Sequence, residues 1–183
     1  MITPERLKQL LPAFAEEAKL FFYSYGLAEL VIDLHIDLVA IKGLNKEVYD
    51  EYIKTYLPLS KRLSSEQVQD RDIALALLSE PLDAGTFGTV NLLEIMEPKP
   101  DAIATTHDLI DHIALLVPDL KVIKDSLDWK EVEYTEQSNE NHKALVIEIN
   151  EWGQEVKFTD RSLQDIADTQ IAKGVAKVLT TND

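Results

Sequence analysis

Residues 29–41 read ELVIDLHIDLVAI, in which Ile32, Leu34, Ile36 and Leu38 fall on one face of an extended chain and Asp33, His35 and Asp37 on the other. That alternation marks a strand with one dry face and one polar face, and such a strand needs a sheet around it. Gly43 ends the stretch. Asn45 then caps a helix carrying Val48, Tyr49, Tyr52, Ile53 and Tyr56 at helical spacing, and Pro58 stops it. Three further strand-like stretches follow, around 64–68, 73–79 and 89–96, parted by Gln69-Asp70 and Asp83-Ala84-Gly85.

The same order recurs in shorter form. LIDHIALLVP (109–118) reads as a strand, Asp119 caps a short helix with Val122, Ile123 and Leu127, and 129–136, 144–150 and 155–159 read as three more strands. The opening strands share a local pattern, HIDLV at 35–39 and HIALL at 112–116, and EPKP at 97–100 forms a rigid linker between the halves. Thr3 and Pro4 start an N-terminal helix in which Pro12 either makes a kink or begins a second helix, and Gly26 ends it. Ser162 with Asp165 caps a last helix through Leu163, Ile166, Ala167 and Ile171, interrupted at Gly174. The expected organisation is a helical segment 1–26, a first unit 27–100, a second unit 101–160 and a C-terminal helix 161–183, in the α+β class.

Charge and composition narrow the chemistry. Eighteen Lys+Arg against 33 Asp+Glu leave a net charge of -15, a field that repels phosphate backbones and anionic headgroups. Neither nucleic acid nor a membrane is therefore an expected partner. The absence of cysteine excludes disulfides, thiolate zinc sites, iron–sulfur clusters and a cysteine nucleophile. No apolar run reaches the roughly 18 residues of a membrane span. The N-terminus MITPERLKQLLPAF also lacks a signal-peptide pattern, so a cytoplasmic location is expected.

The H-I-x-L strand at 35–38, SSEQVQDRDIALALLSEP at 64–81, LLEIMEPKP at 92–100, DHIALLVP at 111–118 and EVKFTDRSLQDI at 155–166 together resemble the YecM family of the vicinal-oxygen-chelate superfamily. The resemblance runs in unbroken order from about Gly26 to Gln170. It implies paired βαβββ modules forming a cupped mixed sheet, flanked by N- and C-terminal helices. It also implies a divalent metal held by a first-strand and a fourth-strand residue of each module. Carried over, those positions are His35 and Glu94 in the first module and His112 in the second. The last position departs from the pattern, since aligning LLEI (92–95) with EVKF (155–158) sets Lys157 opposite Glu94, and a protonated lysine has no lone pair to give.

Two imidazoles and one carboxylate suit zinc, iron, manganese or nickel, with coordination positions left open. The same residues read equally as hydrogen-bonded strand histidines and a solvated glutamate. His35 shares its face with Asp33 and Asp37, whereas His112 shares its own with Ile110, Ala114 and Leu116. Glu94 lies between Leu92 and Met96, so it needs a partner, either a cation or Lys157 itself. Asp37, Glu148 and Lys157 are further candidates to face the cup, with Glu155 beside them; His107 and His142 receive no role. Two functions stay open at this point. One is a metal-dependent isomerase, lyase or oxygenase acting on a small oxygen-rich molecule, and the other a metal-free small-molecule-binding or regulatory protein on the same scaffold.

Overall fold

The computed structural model describes residues 1–68, 70–99, 109–138 and 142–180. Part of the EPKP linker and all of His107 lie outside these residues. The first half contains α1 (Pro4–Ser24), a single turn α2 (Ala28–Val31), β1 (His35–Lys42), α3 (Lys46–Tyr56), β2 (Ser60–Val68), β3 (Arg71–Asp83) and β4 (Thr89–Met96). The second contains β5 (Ile110–Leu116), α4 (Leu120–Trp129), β6 (Thr135–Ser138), β7 (Lys143–Glu148), β8 (Glu155–Thr159), α5 (Leu163–Ala172) and β9 (Lys177–Leu179). Strand, helix and three strands thus occur twice. All nine strands join one open mixed sheet in the order β6-β7-β8-β5-β1-β4-β3-β2-β9.

The two halves meet where β1 and β5 pair antiparallel, and each then pairs in parallel with the last strand of its own half, β1 with β4 and β5 with β8. This near-twofold arrangement puts both opening strands at the sheet's centre, where Val39, Ile41, Ile113 and Leu115 are fully buried. Helix α1 covers one face, with the Phe22 ring edge-on to Phe158 at 5.4 Å between centroids. Pro12 sits inside α1 without breaking it, because Leu7, Leu11, Phe14, Ala18 and Phe22 form one buried stripe across it. The chain start is tied to α3: the Ile2 N–H donates to the Tyr52 hydroxyl at 2.9 Å, and the Tyr56 hydroxyl donates to the Ile2 carbonyl at 3.2 Å. No helix among the described residues is long and apolar enough to cross a membrane.

The first strand is shorter than its alternation suggests. Residues 28–31 form a helical turn, Ile32 is exposed, and pairing begins only at His35. Two β-bulges interrupt the β1–β5 ladder. Pairing passes from Ile36↔Leu115 to Leu38↔Ala114, leaving Asp37 as the extra residue, and from Ala40↔His112 to Ile41↔Ile110, leaving Asp111 extra.

Residues 129–134 are not the strand that their Trp, Val and Tyr suggest. Helix α4 runs to Trp129 and ends in a Schellman turn, in which the Val132 N–H donates to the Leu127 carbonyl at 3.0 Å and the Glu131 N–H to Asp128 at 3.2 Å. The left-handed position, which glycine fills after α1 (Gly26) and after α5 (Gly174), is held here by Glu131 at φ 55. The sequence therefore lacks its usual stop signal. Glu131→Gly should stabilise the protein by about 1 kcal/mol in a urea melt, because glycine carries no Cβ to strain there. A loss of stability would mean that the side chain holds the turn by another route.

Candidate functional site

Cross-strand register decides which side chains share the concave face. Ala40 pairs with both Glu94 and His112, and His112 pairs on its other side with Glu155. Glu155, His112, Ala40 and Glu94 therefore stand in one row across four strands, with Glu148 continuing it beyond Glu155 as an exposed end residue. His35 does not join them. It pairs with Leu116, four residues along β5 from His112, about 13 Å away on the sheet. It is exposed beside Gly88, and Ala40 occupies the place on β1 that the first-strand ligand was expected to fill. The three-residue echo between His35 and His112 thus pairs the wrong positions.

His112 is 2% exposed and carries a carboxylate on each side. Its Nδ1 lies 3.1 Å from Asp111 Oδ2 and its Nε2 3.4 Å from Glu94 Oε2. The bulge makes this possible, since regular alternation would turn Asp111 to the opposite face from His112. Asp111 is also ion-paired to Lys42. Asp111, His112 and Glu155 each offer a ligand atom within 4.8 Å of one another. Lys157 stands beside Ala114, one step along the face, with its Nζ 3.6 Å from Glu155 Oε2.

These contacts set the charges. Burial alone would raise the Glu94 carboxyl, but the bond and charge of His112 and the Lys157 ammonium hold it below its ordinary range. Burial, then Lys157, push His112 down, and its bonds to Asp111 and Glu94 outweigh both, so the imidazole keeps its proton above the usual value. Asp111, despite burial, is drawn well below the carboxylate range by His112 and Lys42. Glu94, Asp111 and Glu155 thus stand beside the ammonium groups of Lys42 and Lys157 and an imidazole that holds its proton more tightly than usual.

His112 and Glu94 of the row, with Lys157, open into a cleft of about 210 Å³ lined also by Glu66, Arg71, His142, Thr159 and, from α5, Leu163 and Ile166. Helix α5 is fixed over the cleft by Asp37, whose carboxylate accepts from the Leu163 N–H at 2.8 Å and the Ser162 hydroxyl at 2.9 Å. Asp37 is thus a helix cap and not one of the residues lining the cleft. A metal would find the His112 imidazole and the Glu94 carboxylate as a pair of donors, whereas Glu155 lies with Asp111 in a separate grouping around the same ring, its ligand atoms within 4.8 Å of one another. Two donors held at about 2.1 Å from one ion stand roughly 3.0–3.4 Å apart. The 3.4 Å between Glu94 and His112 meets that spacing, and the Asp111 bond to Nδ1 leaves Nε2 as the ligating nitrogen. The donor set fits a divalent cation.

The sequence matches the family described as YecM protein over residues 3–167. The chain belongs to the YecM family. None of the curated proteins matches its sequence. Among solved structures, the structural-genomics protein EC4020 superposes with a TM-score of 0.70 at 16% identity, covering 87% of this chain and 88% of its own. A hypothetical protein from Bacillus halodurans C-125 does so with a TM-score of 0.51 at 17% identity, covering 70% and 95%. Both share the fold of this YecM-family chain.

Several lining residues escape a reading of the sequence. Asp111 is adjacent to His112, which in an unbulged strand assigns it to the other face. His142 follows a loop and looks solvated, yet it is half-buried, and burial followed by the Lys157 charge pushes its imidazole down. Glu66, whose carboxyl is pushed up by burial and then by Glu94, reads as an ordinary strand glutamate. Only tertiary register brings these side chains to one place.

Proposed function

We propose that this YecM-family protein is a divalent-metal-dependent enzyme of isomerase, lyase or oxygenase type, acting on a small oxygen-rich molecule. The observation that carries the reading is the buried chain Asp111–His112–Glu94, which orients one imidazole nitrogen toward a carboxylate inside a cleft. His112 and Glu94 would hold the ion, with Ala40 leaving the remaining side of the row open. A bound cation supplies Lewis-acid polarisation of substrate oxygens. Asp111 fixes the His112 ring by accepting its Nδ1–H, and Lys42 neutralises Asp111 so that it stays a carboxylate. Lys157 offers positive charge to an anionic substrate one step along the face. The metal suited to imidazole and carboxylate donors is zinc, iron, manganese or nickel.

Elemental analysis of purified protein before and after chelator tests this reading. Near-stoichiometric metal that falls at least tenfold in Glu94→Gln, with the fold intact by circular dichroism, is the expected result. A specific observation favours the metal-free alternative, namely that Lys42 already pairs with Asp111 and Lys157 already stands beside Glu155. A wild-type protein without metal that also fails to take up added zinc or manganese would make that alternative the better reading.

A further inference from the structure

Three side-chain atoms among the described residues are buried without a hydrogen-bond partner: Arg71 Nε, His142 Nδ1 and Thr159 Oγ1. All three residues line the same cleft. Buried polar atoms are paired in the large majority of cases, so orphans gathered in one cavity point to groups that a ligand completes. We propose that Lys157, Thr159 and His142 form a subsite for the carboxylate of a small organic acid. The proposal rests on the cleft being a ligand site and names the class of molecule it takes.

The placement follows from strand geometry. Thr159 is two residues from Lys157 on β8 and so shares its face. Thr159 pairs with Ala144, and His142 precedes Ala144 by two residues at the start of β7. The Lys157 charge acts directly on the His142 ring. The 3.6 Å separation from Glu155 is too long for a strong hydrogen bond, which leaves the ammonium with donors to offer. An ammonium, a hydroxyl and an imidazole lining one cleft suit an acceptor with several lone pairs, and a carboxylate has about four. Lys157 and Arg71 line the cleft together with the carboxylates of Glu66 and Glu94, a balance that suits a monoanion better than a phosphate of about -1.5 to -2. The cleft's 210 Å³ equals about seven water volumes of roughly 30 Å³, room for an acid of a few carbons. His112 and Glu94 line the same cleft, so an acid with an oxygen on its second carbon, a 2-hydroxy or 2-oxo acid, is the class that also offers them a group to bond.

Calorimetric titration of the full chain, stripped of metal by chelator, tests this with L-lactate and pyruvate. Inorganic phosphate and 1,2-propanediol are the comparison probes. The expected result is binding of at least one acid without metal, weakened about tenfold or more in Lys157→Met, as loss of a charge-assisted bond requires. Neither comparison probe should bind comparably. Thr159→Val should also weaken the acid while raising the melting temperature of the ligand-free protein by about 2–4 °C, because it removes an unpaired buried hydroxyl. A merely structural threonine would give the opposite shift. The proposal is overturned by phosphate binding as tightly as the acids, by acid binding only when metal is restored, by no acid binding at all, or by a lowered melting temperature in Thr159→Val. Metal content is measured separately on untreated protein, so failure here leaves the metal reading standing, and the reverse also holds.

Discussion

His112→Ala should cost the chelator-treated protein about 3–5 kcal/mol of stability, the penalty for leaving a buried charge without its partner. For a chain of this size that is a fall in melting temperature of roughly 6–20 °C. Glu94 would lose the imidazolium 3.4 Å away and keep only the more distant Lys157 charge, while Asp111 would retain Lys42. The double variant His112→Leu with Glu94→Leu should recover most of the loss, since apolar replacement of both partners removes the uncompensated charge.

The pH dependence follows from the directions of the shifts. His112 is raised, so its contribution is complete below its unfolded value of about 6.5 and is lost as pH rises through the higher folded value. Glu94 and Asp111 are lowered, so theirs is complete above about 4–4.5 and is lost as pH falls through the depressed folded values. Between roughly pH 4.5 and 6.5 all three contribute in full and the profile is level, and His112→Ala should lower it across that window and remove the fall above about pH 6.5. A melt that is unchanged by the substitution, at any pH in this range, would show that the buried triad is not formed.

Lys157→Glu gives the second large effect, and its sign depends on metal. Without metal, the new carboxylate faces Glu155, from which the lysine now stands 3.6 Å, and lies within reach of Glu94. Like charges there raise one carboxyl pKa and destabilise the fold near neutral pH by about 2–4 kcal/mol. With zinc or manganese added, the same carboxylate becomes a further donor beside His112 and Glu94. Affinity should rise at least tenfold, and the melting temperature should climb with metal concentration, because the ion binds only the folded chain. A variant whose melt does not move at millimolar metal would place the cation elsewhere or nowhere.

The repeated strand–helix–strand order is written in local chemistry: Asn45, Asp119 and Ser162 cap the helices that their neighbours predict, and β4 and β8 span the residues that alternation assigns them. What local chemistry does not carry is register. A single bulge at Asp37 and another at Asp111 change which residues meet, and nothing in the side chains of Asp37 or Asp111 announces a bulge. Carrying the first-strand position over on the H-I-x-L match of 35–38 with 112–115 therefore selects His35 where the sheet presents Ala40. Matching LLEI with EVKF likewise aligns Glu94 with Lys157, although the residue beside His112 is Glu155. Helix α4 overruns into a segment rich in strand formers because its stop uses Glu131 in place of glycine. The three-residue strand β9 exists only because β2 offers it an edge. Of the candidate site, Glu94 and His112 come together as the sequence suggests, through strands whose ends the turns define. Asp111, His142 and Thr159 arrive by tertiary placement alone.

The most direct measurement is an anomalous difference map from crystals of the wild-type protein grown with manganese. The metal reading predicts one strong peak in the cleft, bonded at about 2.0–2.2 Å to His112 Nε2 and to a carboxylate oxygen of Glu94, with Asp111 still on Nδ1. A cleft without a peak, with His112 keeping its 3.4 Å contact to Glu94, would contradict it.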